Sequence, residues 1–352
     1  MKIAIVKKNF CGTGGGGAER YAAKICSELI KRGYDLKIYA EKISNVHADK
    51  NSFVQVSKTF LHGFSRTTNF HYAVQKKLRQ DNHDIVYAIS RTYPADILRV
   101  SDQIYAIWIK KILKRKFYFL NPRHLELLQL EKKIFNPVNT GIIIVNSLLV
   151  KRQLISEFNF PEEKIRHIRN GVDRTIFFPA RSKNEICEIR KNLQLPEDKF
   201  ILLFPACNFK IKGIDCIIKT LASLDIAIRN KILILAVGGD IDASGTKRME
   251  KLGIGDLFRF DKRTERMRDY YVASDMLFFP SLYEPFANVC LEASACGLPI
   301  LTTEMNGSSE LVRHGSSGFV VPTAMDYKAI SQAICDFIRL DAETRAKFAE
   351  ES

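Results

Sequence analysis

Short apolar runs alternate with longer amphipathic stretches along the chain. KIAIV (2–6) is apolar after its first lysine and reads as a strand. From Ala18 to Arg32 the positions Tyr21, Ile25 and Leu29 recur on one helical face, and Gly33 supplies the stop. DLKIYA (35–40) is a strand again, and DIVYAI (84–89) and GIIIVN (141–146) are apolar enough to be buried on both faces. Asn121 followed by Pro122 reads as an N-cap and first helical residue, opening a helix through NPRHLELLQLEKKIF. The alternation restarts at FILLFPA (200–206), with a helix expected from Gly213 to Ile228. ILILAVGG (232–239), LFRF (257–260), MLFFP (276–280) and PILTT (299–303) follow as strands, each trailed by helical sequence. Strands alternating with helices predict a parallel sheet with helices on both faces. Two such series predict two doubly wound α/β domains facing a cleft, residues 1–174 and 175–352, with GVDRTIFFPARSK between the series.

Composition narrows the class. A chain of 352 residues exceeds one ordinary core, and 46% hydrophobic with 26% charged residues is a globular balance. No segment reaches the ~18 apolar residues of a membrane span. The opening MKIAIVKKNF meets Lys7 too early for a secretory signal. Eight cysteines occur without a C-x-x-C pair, several inside apolar runs, which predicts buried thiols in a reducing cytoplasm. The seven histidines show no ligand spacing, so no metal is expected. Lys and Arg outnumber Asp and Glu by 54 to 39, a net charge of +15 that favours polyanionic partners. With no RNA- or DNA-binding signature, nucleic acid is set aside. An anionic membrane or a phosphorylated substrate remains.

Candidate chemistry begins in FCGTGGGGAERYA (10–22). Clustered glycine costs conformational entropy, and before a helix it suits close approach to an anion. Gly12, Gly14 and Gly17 fit G-x-G-x-x-G, and Glu41 ends the next strand, as in a dinucleotide site. Yet Lys7–Cys11 separate the strand from the first glycine. A second constellation lies in PSLYEPFANVCLEASACGLPI (280–300). Glu284 marks a loop after a strand and Glu292 the helix that follows. Carboxylates accept well from sugar hydroxyls. The amides of Phe286, Ala287, Asn288 and Val289, at the helix start, suit phosphate. Hydroxyls at both ends and a diphosphate between describe a sugar nucleotide.

EPFANVCLE (284–292), followed by ASACGLPI, resembles the E-x7-E motif of the retaining glycosyltransferases of family 4, which have the GT-B fold. GGAERYA (16–22), NGVDRTIFFP (170–179), KGID (212–215), VGGD (237–240), YYVASDMLFFPS (270–281) and ELVRHGSSGFVV (310–321) fall in the family's order. RVSDQIYAIW (99–108) and LEKKIF (130–135) look most like lipopolysaccharide-core glucosyltransferases acting on heptose. Members usually continue past a point such as RAKFAEES (345–352) into a helix that crosses back to the first domain.

The resemblance implies roles. Gly16 and Gly17 would lie against the donor's diphosphate and sugar. Glu284 would contact the sugar hydroxyls and offset charge in an oxocarbenium-like transition state. Glu292 would take the ribose hydroxyls, or else be a solvated helix acid. Lys212 would bind the diphosphate. Many members carry an arginine six residues earlier, where this chain has Ala206. Lys210 is the nearest replacement, or an ordinary surface lysine. Asp102 aligns with a cleft acid that could orient or deprotonate the acceptor hydroxyl, and reads equally as a helix N-cap. Asn170–Asp173 would shape the interdomain hinge, and Gly307–Glu310 would flank the base or ribose or simply cap. DID (240–242) falls in a loop position of the family and is not taken as a metal motif.

IYAIWIKKILKRKFYF (104–119) is the densest cationic stretch and holds the only tryptophan. Stepped as a helix, Ile104, Trp108, Ile112 and Phe119 share a side opposite Lys110, Lys111 and Lys114, which suits an anionic monolayer or a buried helix with a lysine rim. The expectation is thus a retaining, metal-independent hexosyltransferase without a cofactor. It would move glucose from a UDP-sugar to a glycan or lipid-linked phosphorylated acceptor at the inner face of the plasma membrane. The alternatives are an NAD-dependent oxidoreductase and a non-catalytic anion- or membrane-binding protein.

Overall fold

The computed structural model describes residues 1–12, 17–46, 52–56, 65–114 and 117–352. The chain forms two compact units, Met1–Arg169 and Asn170–Ser352. The change falls slightly before the expected residue 174, because Asn170 already belongs to the second unit. Its side-chain amide donates to Asn288 Oδ1 at 2.7 Å.

The first unit runs β1 (Lys2–Val6), β2 (Asn9–Cys11), α1 (Gly17–Lys31), β3 (Asp35–Ala40), β4 (Lys42–Ser44) and β5 (Phe53–Gln55). It continues through α2 (Arg66–Leu78), β6 (Ile85–Ala88), β7 (Ala95–Val100), α3 (Tyr105–Ile107), α4 (Pro122–Ile134), β8 (Thr140–Val145), α5 (Leu148–Phe158) and β9 (Ile165–His167). Its main sheet has the order β5-β3-β1-β6-β7-β8-β9, all parallel. A two-stranded parallel ribbon, β2-β4, stands apart. Ile3 to Val6 are all buried, as a strand covered on both faces requires. Tyr21, Ile25 and Leu29 of α1 pack on this core, and Gly33 follows in the left-handed region at φ +81°. Asn121 caps α4, accepting from Arg123 N at 3.0 Å, with Pro122 at the first position.

The second unit runs α6 (Lys183–Asn192), β10 (Phe200–Pro205), α7 (Phe209–Lys212), α8 (Ile214–Ser223), α9 (Ile226–Arg229), β11 (Ile232–Val237), α10 (Ala243–Lys251) and β12 (Phe258–Asp261). Then come α11 (Met267–Ala273), β13 (Met276–Phe279), α12 (Asn288–Ala295), β14 (Ile300–Thr303), β15 (Gly318–Val321), α13 (Tyr327–Arg339) and α14 (Ala342–Glu351). The sheet order is β12-β11-β10-β13-β14-β15, again all parallel. This is the 3-2-1-4-5-6 order of a doubly wound dinucleotide-type fold. Ile201–Phe204 and Ile234–Ala236 are fully buried at its centre.

Three sequence expectations are corrected. The helix expected from Gly213 to Ile228 is two helices, because Asp225 caps α9 by accepting from Ala227 N at 2.8 Å. The strands β2, β4, β5, β7, β9 and β15 were not anticipated. The amphipathic helix expected over 104–119 is not continuous: α3 passes into a π-helical turn at Trp108–Ile112, and a 3-10 turn covers Tyr118–Leu120. Residues 115 and 116 lie outside the described residues. The buried side is Ile104, Ala106, Ile107 and Ile109, while Phe119 is exposed, because it lies beyond the end of the helical run, in the separate 3-10 turn.

All eight cysteines are free. Burial pushes the thiols of Cys26, Cys216, Cys290 and Cys296 up to about 12, whereas Cys187 and Cys207 are exposed. Among the described residues no helix is long and apolar enough to cross a membrane.

Candidate active site

In an open doubly wound sheet, ligands bind outside the carboxyl ends of the strands where the winding reverses. In the second unit that place lies between β10 and β13. The segment leaving β10 carries Lys210 and Lys212, and the segment leaving β13 carries Glu284. The fold therefore brings the predicted lysine and the predicted carboxylate to the same switch point.

Local geometry fixes both. Asn208 caps the single-turn α7, its Oδ1 accepting from Ile211 N at 3.2 Å, and this turn ends in Lys212. Gly213 then takes φ +106°, and a Cβ there would stand 2.2 Å from the carbonyl oxygen of Pro280. The two loops thus meet backbone to backbone. Glu284 donates its N–H to Met305 O at 2.9 Å and accepts from Gly307 N at 2.8 Å, adding a parallel bridge beside Asn306. Its carboxylate pairs with the Lys212 ammonium, both side chains being only partly exposed.

Glu292 lies on α12. Its Oε2 accepts from the hydroxyl of Tyr271 at 2.8 Å. Burial first, then the nearby carboxylate, holds the Tyr271 phenol well above its usual range, so at neutral pH it remains a donor.

Of the amides from Phe286 to Val289 that were expected to suit phosphate, one is already engaged. Ala287 N donates to Ser308 Oγ at 2.7 Å, so that amide is spent within the fold. Asn288 and Val289 occupy the first turn of α12, where no helical carbonyl reaches their amides. Lys210 and Lys212 are two residues apart on one helical turn, about 200° around its axis. Lys210 is exposed and faces away from the side that Lys212 shares with Glu284. Asp242 of DID caps α10, accepting from Gly245 N at 2.7 Å. Ser308 of the Gly307–Glu310 turn also donates to Ala287 O at 3.0 Å, a clasp on α12.

In the first unit Gly16 lies outside the described residues, and Gly17 is the first residue of α1. Gly12 follows β2, its N–H bonding Ser44 O at 3.0 Å in the ribbon. It does not follow β1, where a dinucleotide fingerprint would have it. Asp102 is exposed after β7 and borders a cavity with Arg91, Arg99 and Glu131. It caps no helix: Ile104 is the N-cap of α3. The amides of Tyr105 and Ala106 donate instead to the Glu131 carboxylate at 2.7 Å each. Arg91 stands 3.8 Å from that carboxylate. Burial raises the Glu131 carboxyl above its usual range, with Arg91 and the two amides pulling the other way.

Tyr271 and Glu131 were not singled out from the sequence, and Ser308 was read only as part of its turn. Glu131 left a signal, an acid on the same helical face as Ile134, because a buried acid needs partners. Tyr271 left only the rule that a buried phenol seeks an acceptor.

Residues 15–175 match the family Glycosyltransferase Family 4, and residues 185–352 match Glycosyl transferases group 1. The chain belongs to the family 4 glycosyltransferases. This glycosyltransferase is 23% identical over 326 residues to the lipopolysaccharide glucosyltransferase WaaG of Escherichia coli, covering 91% of this chain and 85% of that one. It is 31% identical over 192 residues to a D-inositol 3-phosphate glycosyltransferase of Thermobispora bispora, of which it covers 44%. The crystal structure of WaaG, a glycosyltransferase involved in lipopolysaccharide biosynthesis, superposes with a TM-score of 0.84 at 22% identity over 99% of this chain and 93% of that one. HepE of Anabaena, solved in complex with UDP-glucose, superposes with a TM-score of 0.72 at 18% identity over 100% and 93%. The glycosyltransferase has the GT-B fold class, with two Rossmann-like units.

Proposed function

We propose that the chain transfers glucose from UDP-glucose to a hydroxyl of a lipopolysaccharide-core or related glycan acceptor, keeping the anomeric configuration and using neither metal nor cofactor. The observation that carries this reading is the convergence of Lys212 and Glu284 at the switch point of the second unit. The name of the WaaG relative supports the sugar and acceptor, and the UDP-glucose bound to HepE supports the donor.

In this reading the bond from the anomeric carbon to the β-phosphate oxygen breaks while the acceptor oxygen bonds to the same face. The acceptor's proton passes to the departing phosphate. The Lys212 ammonium exchanges its carboxylate partner for the diphosphate and stabilises the charge that gathers there. Glu284, released from that pair, holds sugar hydroxyls and offsets positive charge on the ring. Glu292 takes the ribose hydroxyls, and the Asn288 and Val289 amides face the phosphates. Asp102 orients the acceptor hydroxyl.

The acceptor would be met at the cytoplasmic face of an anionic membrane. Leu113, Phe117, Phe119, Leu120 and Leu125 are exposed, the phenylalanine at 117 by 69% and Leu120 by 70%, beside exposed Lys110, Lys114 and Arg123. Apolar side chains among cations fit a lipid interface.

The test is turnover of UDP-glucose, UDP-galactose, UDP-N-acetylglucosamine and GDP-mannose with a truncated lipopolysaccharide acceptor and with chelator present. Product linkage would be read by NMR. UDP-glucose should be used, and the new linkage should keep the donor's configuration. An inverted linkage, dependence on a divalent ion, or turnover of none of the four would refute the proposal.

A further inference from the structure

Tyr271 is 1% exposed, its ring set edge-on to Phe177 with centroids 5.9 Å apart. Phenylalanine would fill this space without burying a hydroxyl, which is expensive unless bonded. Yet the hydroxyl is aimed out of the core at one atom, Oε2 of Glu292, at 2.8 Å. Glu292 sits on α12 with three side-chain torsions to fix, while Tyr271 sits on α11 with its ring locked by packing. A carboxylate accepts at about four lone-pair positions, and the phenol takes one from the buried side.

We infer that Tyr271 is a positioning residue that sets the Glu292 carboxylate for the nucleotide's ribose hydroxyls. The inference rests on the reading of Glu292 given above. Without the phenol, the carboxylate loses this fixed contact, and more of its ordering entropy falls on ribose binding. The signature is specific: Tyr271 should matter only for ligands that have ribose hydroxyls.

Titration calorimetry of the full chain with UDP and with 2′,3′-dideoxyuridine diphosphate tests this. The wild-type protein should prefer UDP by about 10-fold or more, the worth of hydrogen bonds to a charged acceptor. Tyr271→Phe, which keeps the core filled, should weaken UDP by about 3- to 10-fold and leave the dideoxy nucleotide unchanged. In a Glu292→Ala background the same change should do nothing to either. Equal losses for both nucleotides, no loss for UDP, or a full loss in the Glu292→Ala background would overturn the positioning role alone. A wild-type protein that binds both nucleotides equally, or neither, would overturn the placing of Glu292 at the ribose, and this inference with it.

Discussion

Substituting Gly213 by alanine asks whether the two loops at the switch point are locked to one another. The residue lies at φ +106°, where a non-glycine costs roughly 1–2 kcal/mol. Part of that, about 0.4–1 kcal/mol, is offset because alanine has less freedom to lose from the unfolded chain. The larger contribution is steric. The new Cβ would stand 2.2 Å from Pro280 O and 3.0 Å from the carbonyl carbon. A carbon–oxygen contact normally sits at about 3.3–3.6 Å, so the loops must part by somewhat more than an ångström. Overpacking of this kind costs about 1–3 kcal/mol. The net loss should be near 3 kcal/mol, or roughly 6–12 °C in the melting of a unit of this size. Gly33→Ala is the internal control: it has φ +81° with nothing within 4 Å, and should cost only about 1 kcal/mol. Because Lys212 adjoins the glycine, a shift of this size should also slow transfer about 100-fold. Circular-dichroism melts of both variants and one turnover assay decide it. Equal small losses in the two variants, or undiminished transfer by Gly213→Ala, would refute the close-approach reasoning.

Glu284→Ala should lower kcat by about 100- to 1,000-fold with the fold retained, and adding Lys212→Ala should cost far less than its effect alone, since the two act at one site; additive losses in steady-state assays would count against a shared role. Burial, then Lys133, pulls the imidazole of His71 down to about 4 from its usual 6.5. The folded state therefore favours the neutral ring, and the stability it contributes is present above pH 6.5 and lost as pH falls towards 4. The effect is about 3 kcal/mol, and urea midpoints across this range should fall less steeply in His71→Gln. Serine at Phe117, Phe119 and Leu120 should cut co-sedimentation with anionic vesicles several-fold, and wild-type binding should weaken with salt; equal binding to neutral vesicles would contradict the electrostatic part.

Much of the architecture could be read from periodicity because buried parallel strands are nearly continuous apolar runs. One exception is instructive. ADILRV (95–100) is a central strand, yet it carries Asp96 and Arg99. Asp96 Oδ2 accepts from Val86 N at 2.7 Å, and the Arg99 guanidinium stacks 3.8 Å from the Tyr21 ring centroid. Tertiary partners engage both side chains, and no local pattern announces them. The same holds at the candidate site. Glu284, Glu292 and Lys212 stand out because their spacing follows a motif. Their supports do not, because Tyr271 lies 21 residues from Glu292, and Ser308 lies 21 residues from the Ala287 amide it occupies. The stretch 104–119 misled for a different reason: a helical wheel assumes one uniform helix, and the π-turn at Trp108 breaks that phase.

The uneven burial of the thiols gives this protein a built-in handle for spectroscopy. With a pKa near 12, Cys26, Cys216, Cys290 and Cys296 hold only about one thiolate in 100,000 at pH 7 and should ignore a maleimide. Cys207 is exposed in the segment that leaves β10 on its way to Lys212. After Cys11→Ser, Cys187→Ser and Cys335→Ser, which remove the other accessible thiols, a fluorophore attached there would sit five residues before Lys212 and, on the proposed function, report donor arrival in real time, with no cysteine added to the chain.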